Sequence, residues 1–466
     1  MTDHTHACKI IATLGPKTGD RKGIEALARA GAKAFRLNLS YDSAETHATL
    51  VRYVREVEAK IDTPLCLIAD LSGPRFRLGS FAKGTVVLEP GQSFRLDQEE
   101  TPGDESRVCL PVPEAFATAS IGDMLRLDDG RVRLRITAVS PVALTCRVVA
   151  GVELSSNKII SLPKTQPQRD RLSESDLKQL IWAREAGIDW LSASWPTKGA
   201  IWQKIRDLAG PMKLLAKMES KAALSDIDQA VKQADGLVVA RGDLGYDLPA
   251  EEIPGWQKRL VRAARRGGKP VVIAAQMLES MVASPAPTRA EASDVANAVR
   301  DGADALMLSA ETAIGAYGQE AVALMRSVIE RTESDRQITT YQADAPSDIS
   351  TTIARAAAQA ADELGAPFIF CFTSSGSTAV SVARTRPPMP IICASDRPQT
   401  LRQMQLIWGQ RCLTAPALTQ WQDIVDTAAA LAADLGVESG KPIVITAGMP
   451  FGTAGSTNIM RIVSVK

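Results

Sequence analysis

Eight short apolar runs, each closing on polar residues and each followed by a helical pattern, constrain this chain more than any other feature. They read KIIATLG, AFRLNLS, LCLIADLSG, DWLSASW, KLLAKMES, GLVVARGD, PVVIAAQM and ALMLSAET. Such runs suit parallel strands buried on both faces, and their alternation with helices predicts a (β/α)8 TIM barrel. In a barrel of this kind the site lies at the C-terminal ends of the strands, where loops vary while the core stays packed. Those ends supply Thr13, Asn38 with Ser40, Asp70, Ser192 with Ser194, Lys217 with Glu219, Arg241 with Asp243, Gln276, and Ser309 with Glu311, all expected on one rim.

The longest gap between runs, from IADLSG to DWLSASW, holds GTVVLEPGQSFRLD and GDMLRLDDGRVRLRITAVSPVALTCRVV. Period-2 alternation with Gly, Pro and Asp turn signals predicts a small inserted β-barrel domain there, placed to act as a lid. After YQADAPSD, which reads as a linker, a helix DISTTIARAAAQAADELGA and strands PFIFCFT, PIICAS and KPIVITAG predict a separate doubly wound α/β domain. The expected domains are a barrel over 1–74 and 163–340, a lid over 75–162 and a C-terminal domain over 345–466.

Composition narrows the function classes. At 466 residues the chain exceeds one ordinary core, and 45% hydrophobic with 23% charged residues reads as globular. The 54 Lys and Arg against 53 Asp and Glu leave a net charge of +1, so nothing points to nucleic acid or a membrane surface as partner. No window approaches the ~18 apolar residues that span a bilayer, and MTDHTHACKI lacks a leader pattern, so a cytoplasmic location is expected. Seven cysteines without a CxxC pair read as reduced, buried thiols. The three histidines, His4 and His6 in a loose tail and His47 in a polar helix, read as surface residues, so proton chemistry must rest on other groups.

LLAKMES, residues 214–220, carries the sharpest chemistry. Lys217 and Glu219 lie two apart at a strand end and point the same way. Glu219 and Asp243 end neighbouring strands, so their carboxylates could share one hard divalent cation, as Mg2+ prefers. Lys217 would neutralise a transferring phosphoryl group and Arg36 could clamp it. The competing reading is a pair of rim salt bridges, Lys217 with Glu219 and Arg241 with Asp243. In ARGDLG, Gly242 allows close backbone approach, and a short helix starting at Asp243 would offer amides to a carboxylate or phosphate.

IATLGP, FRLNLS, LAKMES, VARGDLG, AAQMLESM, PTRAEASDVANAV and MLSAET, in this order and spacing, resemble the motifs of the pyruvate kinase family over nearly the whole chain. The resemblance implies transfer of a phosphoryl group from phosphoenolpyruvate to ADP, giving pyruvate and ATP. It implies that Glu219 and Asp243 hold Mg2+, with Mn2+ as a substitute, and that Lys217 and Arg36 meet the phosphoryl group. Gly242 would line the substrate carboxylate beside Asp243, and Arg77 and Lys158 would meet nucleotide phosphates. A homotetramer is the expected assembly.

The sequence departs from the family pattern at four places. Asn38, Ser40, Asp70 and the Leu71 carbonyl match a monovalent-cation site, yet DLSGPRFRL stands where the potassium-requiring form has DTKGPEIRT. Arg75 is therefore expected to replace potassium. Ala275 stands where a threonine hydroxyl contacts substrate in enolate protonation in the family, which implies either a relay by water ordered by Ser309 or a different substrate. Tyr41 replaces a histidine beside the nucleotide, and SAET replaces SGET. In the C-terminal domain the loop Thr373, Ser374, Ser375, Gly376 and Ser377, with PFGTAGST near the end, resembles a binding site for a phosphorylated effector. Two other readings are a Mg-dependent lyase or aldolase acting on pyruvate-like enolates, and a non-catalytic phosphometabolite sensor.

Overall fold

A computed structural model describes residues 6–73, 75–127, 131–151, 153–162, 165, 172–196, 199–335, 348–418, 420–450 and 457–465. All eight apolar runs form strands: Lys9–Thr13, Ala34–Asn38, Cys66–Asp70, Trp190–Ser194, Lys213–Met218, Gly236–Ala240, Val271–Ala274 and Ala305–Leu308. They pair in parallel in chain order, and the eighth returns to the first with Lys9 opposite Ala305, closing the expected barrel. Nearly every strand residue is buried, because helices cover the outside and side chains fill the lumen. The helices are defined by local chemistry as well as packing. Ser173 caps Glu174–Glu185, and Thr288 with Glu291 forms a reciprocal capping box on Arg289–Asp301.

The barrel is stoppered at one end. Lumen residues Ile11, Ile68, Trp190, Leu215 and Val272 belong to one apolar cluster with Leu401, Met404 and Ile407 of the C-terminal domain. Helix Pro398–Met404 sits across the floor of the barrel and carries Gln403 near its C-terminal end. Its side-chain amide donates to the carbonyls of Asp189 at 3.2 Å and Pro211 at 3.0 Å, while its own carbonyl accepts from the Trp190 indole at 3.0 Å. The opposite end is left as a mouth.

Between the third and fourth barrel strands the lid strands form one six-stranded sheet, containing Met124–Leu127, Val132–Ser140 and Ala143–Ala150, and a separate two-stranded sheet of Thr85–Val87 with Glu153–Ser155. Alternation directs Leu125, Leu134, Ile136, Cys146 and Val148 into the lid's own core.

The C-terminal sheet orders Gln410–Thr414, Ile391–Ser395, Ile369–Phe372, Pro442–Gly448 and Thr457–Ser464, all parallel except the last. The linker YQADAPSD falls outside the described residues except for Asp348, which caps the following helix, and PFGTAGST likewise except for its ends.

All seven cysteines are free and buried, as their setting in apolar runs implies. The histidines differ from expectation. His6 and His47 are buried, and the His47 ring lies 5.7 Å from that of Trp182, because its helix turns that face onto a neighbouring helix. His4 lies outside the described residues. Among the described residues no helix is long and apolar enough to cross a membrane.

Replacing Gln403 by Ala removes two hydrogen bonds at the barrel floor, so Gln403→Ala should lower stability by about 1–3 kcal/mol. A thermal melt checks this, and an unchanged Tm would show that the floor is held by apolar packing alone.

Candidate active site

Barrel strands and the loop after the third strand bring six charged side chains into one connected network at the open mouth. Arg36, in the middle of the second strand, donates to Asp70 Oδ2 at 2.6 and 2.9 Å and to the Thr13 hydroxyl at 3.3 Å. Asp70 Oδ1 meets Lys217 Nζ at 2.9 Å, and the same ammonium donates to the Leu71 carbonyl at 3.3 Å and approaches Glu219 Oε2 at 3.6 Å. Glu219 accepts from the Ser194 hydroxyl at 2.6 Å and from Arg75 at 2.6 Å. Arg75 then reaches Asp243 Oδ1 at 3.0 Å.

The segment that delivers Arg75 is shaped by a turn. Gly73 has φ +66, and a Cβ there would come within 2.6 Å of Ser194 Oγ, so only glycine lets the chain pass this close to the mouth. The Gly73 amide donates to Asp176 and the Ser72 amide to Gln179, which fixes the turn to helix Glu174–Glu185.

Burial and charge act in opposition across this network. Burial works to raise the Asp70 pKa, but Lys217 and Arg36 outweigh it and bring the carboxyl down to about 2. Burial would discharge Lys217, yet Asp70 and Glu219 raise its pKa and keep it an ammonium ion. Arg75 is likewise held charged against its burial by Glu219 and Asp243. Asp243 shifts upward, through burial first and then the nearby Glu219 charge, with Arg75 opposing.

The expected rim residues divide into two groups. Thr13, Arg36, Asp70, Ser194, Lys217, Glu219 and Asp243 meet as the strand ends imply, with Arg75 joining from the loop. The salt-bridge reading holds only in part, for Lys217 has Asp70 as its nearer acid, and Arg241 does not pair with Asp243. Instead Arg241, buried, forms an ion pair with Asp294 at 2.7 Å and donates to the carbonyls of Ala275 at 2.6 Å and Gln276 at 3.1 Å. The helix begins at Arg241 rather than Asp243 and runs to Asp247. Glu311 is fully buried and accepts from the amides of Leu278 and Ser309, a structural role.

Ala275 and Gln276 have φ of +73 and +54, a left-handed pair that non-glycine residues seldom adopt. Arg241 grips both their carbonyls and so holds the strained turn beside Gly242, where an added Cβ would lie 3.3 Å from Ala275 Cβ. Asp294, the acid that anchors Arg241, was not singled out from sequence. Its place inside PTRAEASDVANAV was the only signal.

Among the monovalent-cation candidates, Asp70 and the Leu71 carbonyl face Lys217, and Asn38 Oδ1 accepts from the Ser40 amide at 3.2 Å. Arg75 sits with the Glu219 and Asp243 pair instead of directly on this cluster. Of the nucleotide candidates, Arg77 donates to the Asn157 carbonyl and lies beside Lys158, whose carbonyl accepts from the Leu78 amide. Tyr41 is exposed near the rim. In the C-terminal domain Thr373, Ser374, Ser375 and Ser377 line a pocket with Asp396, and Gly376 turns the loop at φ +83.

Residues 5–322 match the barrel domain of pyruvate kinases and residues 351–463 their alpha/beta domain. The chain belongs to the pyruvate kinase family. It is 40% identical over 462 residues to a pyruvate kinase of Agrobacterium vitis, covering 97% of each chain. A pyruvate kinase of Methylorubrum extorquens is 40% identical over 467 residues, covering 98% of this chain and 97% of its own. One from Mycobacterium tuberculosis is 35% identical over 463 residues, covering 98% of both. As a pyruvate kinase family member the chain is a phosphotransferase, and neither the lyase nor the sensor reading gains support.

The depressed Asp70 pKa makes a signed prediction for this pyruvate kinase family member. A carboxyl whose folded pKa lies below its unfolded value stabilises above the unfolded value and loses that contribution as pH falls through the folded one. Between about pH 4 and pH 2 the wild type should therefore lose about 2 kcal/mol that Asp70→Asn does not. Urea midpoints of both proteins across that range measure the difference, and parallel curves would contradict it.

Proposed function

We propose that this chain transfers the phosphoryl group of phosphoenolpyruvate to ADP, giving pyruvate and ATP. The observation that carries the reading is the convergence of Glu219 and Asp243 on one cationic group, within reach of Lys217. Two hard carboxylates facing a common point are a donor set suited to Mg2+, and the guanidinium of Arg75 shows that the point accepts positive charge. A Mg2+ there, or Mn2+ in its stead, supplies Lewis-acid stabilisation of charge on the substrate oxygens.

The chain's own groups account for the rest. Lys217 stays protonated, so it acts as a fixed positive charge toward the moving phosphoryl group and not as a base. Arg36, held by Asp70 through two nitrogens, has its fork fixed at the mouth for phosphate oxygens. Gly242 and Asp243 lie in the first turn of helix Arg241–Asp247, where amides can meet the substrate carboxylate. Ala275 brings no hydroxyl, so protonation of the enolate falls to water ordered near Ser309. Arg77, Lys158 and Tyr41 receive the nucleotide.

Arg75 supplies a permanent cation at the mouth and takes the place of potassium. The C-terminal pocket at Thr373–Ser377 accepts a phosphorylated effector, and the enzyme works in the cytoplasm as a homotetramer.

Purified protein given phosphoenolpyruvate, ADP and Mg2+ should form pyruvate, and Lys217→Met should lower kcat by about 100-fold or more while the protein stays folded. Turnover that survives this change would remove Lys217 from the role assigned. Exchanging potassium for tetramethylammonium should leave the wild-type rate unchanged, whereas a strong potassium requirement would contradict the part given to Arg75.

A further inference from the structure

The lid carries an arginine-rich face that phosphoryl transfer at the mouth does not use. In strand Val132–Ser140, Val132, Leu134 and Ile136 point into the lid core, so Arg133 and Arg135 lie on the opposite face. Arg126 of Met124–Leu127 stands directly across from Arg133, and Arg147 of Ala143–Ala150 directly across from Arg135. Like charges set opposite one another across strands are destabilising. Among the described residues no carboxylate pairs with Arg133, Arg135 or Arg147 to relieve it, whereas Arg131 beside them is 3.6 Å from Glu279.

One end of this face overhangs the barrel and closes a cavity of about 670 Å3 between lid and barrel. Arg126, Arg131 and Arg133 form its lid wall, while the barrel side offers Leu248, Pro249 and Ile253 together with Glu251 and with Asp294, which is paired to Arg241. The lid is tied down at its margin, where Arg126 donates to the Tyr246 carbonyl at 3.0 Å and the Ser161 hydroxyl to the same oxygen at 3.1 Å. Gly242 and Gln276 make the inner end, so the cavity abuts the mouth, but its walls include neither the Asp70–Lys217–Glu219 network nor Arg77 and Lys158. A volume of this size suits a small metabolite.

We propose that this cleft binds a small phosphorylated metabolite bearing at least two negative charges. Its phosphate oxygens are gripped by Arg126, Arg131 and Arg133, and its body rests on the Leu248–Ile253 wall. Guanidinium forks match phosphate oxygens, and an anion between them removes the repulsion that the bare face carries. Because the ligand touches lid and barrel together, its binding holds the lid against the mouth.

Inorganic pyrophosphate in metal-free buffer, followed by titration calorimetry, is the probe. Two classes of site are expected, one at the active site and one in the cleft. Arg126→Ser with Arg133→Ser should weaken the cleft class by at least about tenfold and leave the other. Arg36→Gln with Arg77→Ser should do the reverse. The single change Arg133→Glu, on an exposed position, serves as a second probe should the double variant fold poorly, and it too should abolish the cleft class. Wild-type binding in the lid variants, or loss of all binding in the Arg36 and Arg77 variant, would overturn the proposal.

Discussion

The ion pair between Asp70 and Lys217 is the interaction on which the mouth of the barrel depends. It joins the third strand to the fifth, and each partner is shared: Asp70 also holds Arg36, and Lys217 also approaches Glu219. Through Glu219 and Arg75 the chain of charges extends to Asp243. The three cations Arg36, Lys217 and Arg75 balance the three acids Asp70, Glu219 and Asp243. Buried charges persist only when compensated, so the ligand-free mouth is close to neutral by construction. A divalent cation alone, or a phosphorylated anion alone, would leave uncompensated charge in a partly dry site. On the proposed function the binding of the two is therefore coupled, and Arg75 is the group with room to give, since it stands on a loop while Lys217 stands on a strand.

The scaffold separates this network from the parts that could modulate it. The floor of the barrel is closed by helix Pro398–Met404, whose Gln403 grips the chain just before the strands that end in Ser194 and Lys217. The same helix touches the C-terminal loop, because Thr400 donates to the Ser374 carbonyl at 2.8 Å. A rigid strand thus runs from a domain contact at one end to Lys217, the proposed phosphoryl-facing group, at the other. The lid meets the opposite end through Tyr246, at the far end of the helix whose first turn carries Asp243.

Much of this was legible in the sequence for plain physical reasons. Eight nearly buried strands leave a largely apolar run each, and polar residues directly after such runs must lie at strand ends. That logic placed Arg36, Asp70, Lys217, Glu219 and Asp243 together. It failed where side-chain direction depended on a detail of backbone. Because the helix starts at Arg241, residues 241 and 243 stand two apart on it and do not face each other, so Arg241 turns inward to Asp294. Arg75 reaches Glu219 through the turn at Gly73, a geometry no residue pattern announces. The strands Gln410–Thr414 and Thr457–Ser464 were not read, because as edge strands they are half exposed and mix polar with apolar residues. The burial of His47 arises from a helix–helix contact with Trp182, which local sequence does not encode.

The central claim is that Glu219 and Asp243 together form the seat of the divalent ion, displacing the Arg75 contact when substrate is present. Electron paramagnetic resonance of Mn2+ titrated into the protein with phosphoenolpyruvate tests it most directly. The account predicts one tight Mn2+ per chain, lost in Glu219→Gln and in Asp243→Asn. Wild-type Mn2+ binding in both variants would contradict it.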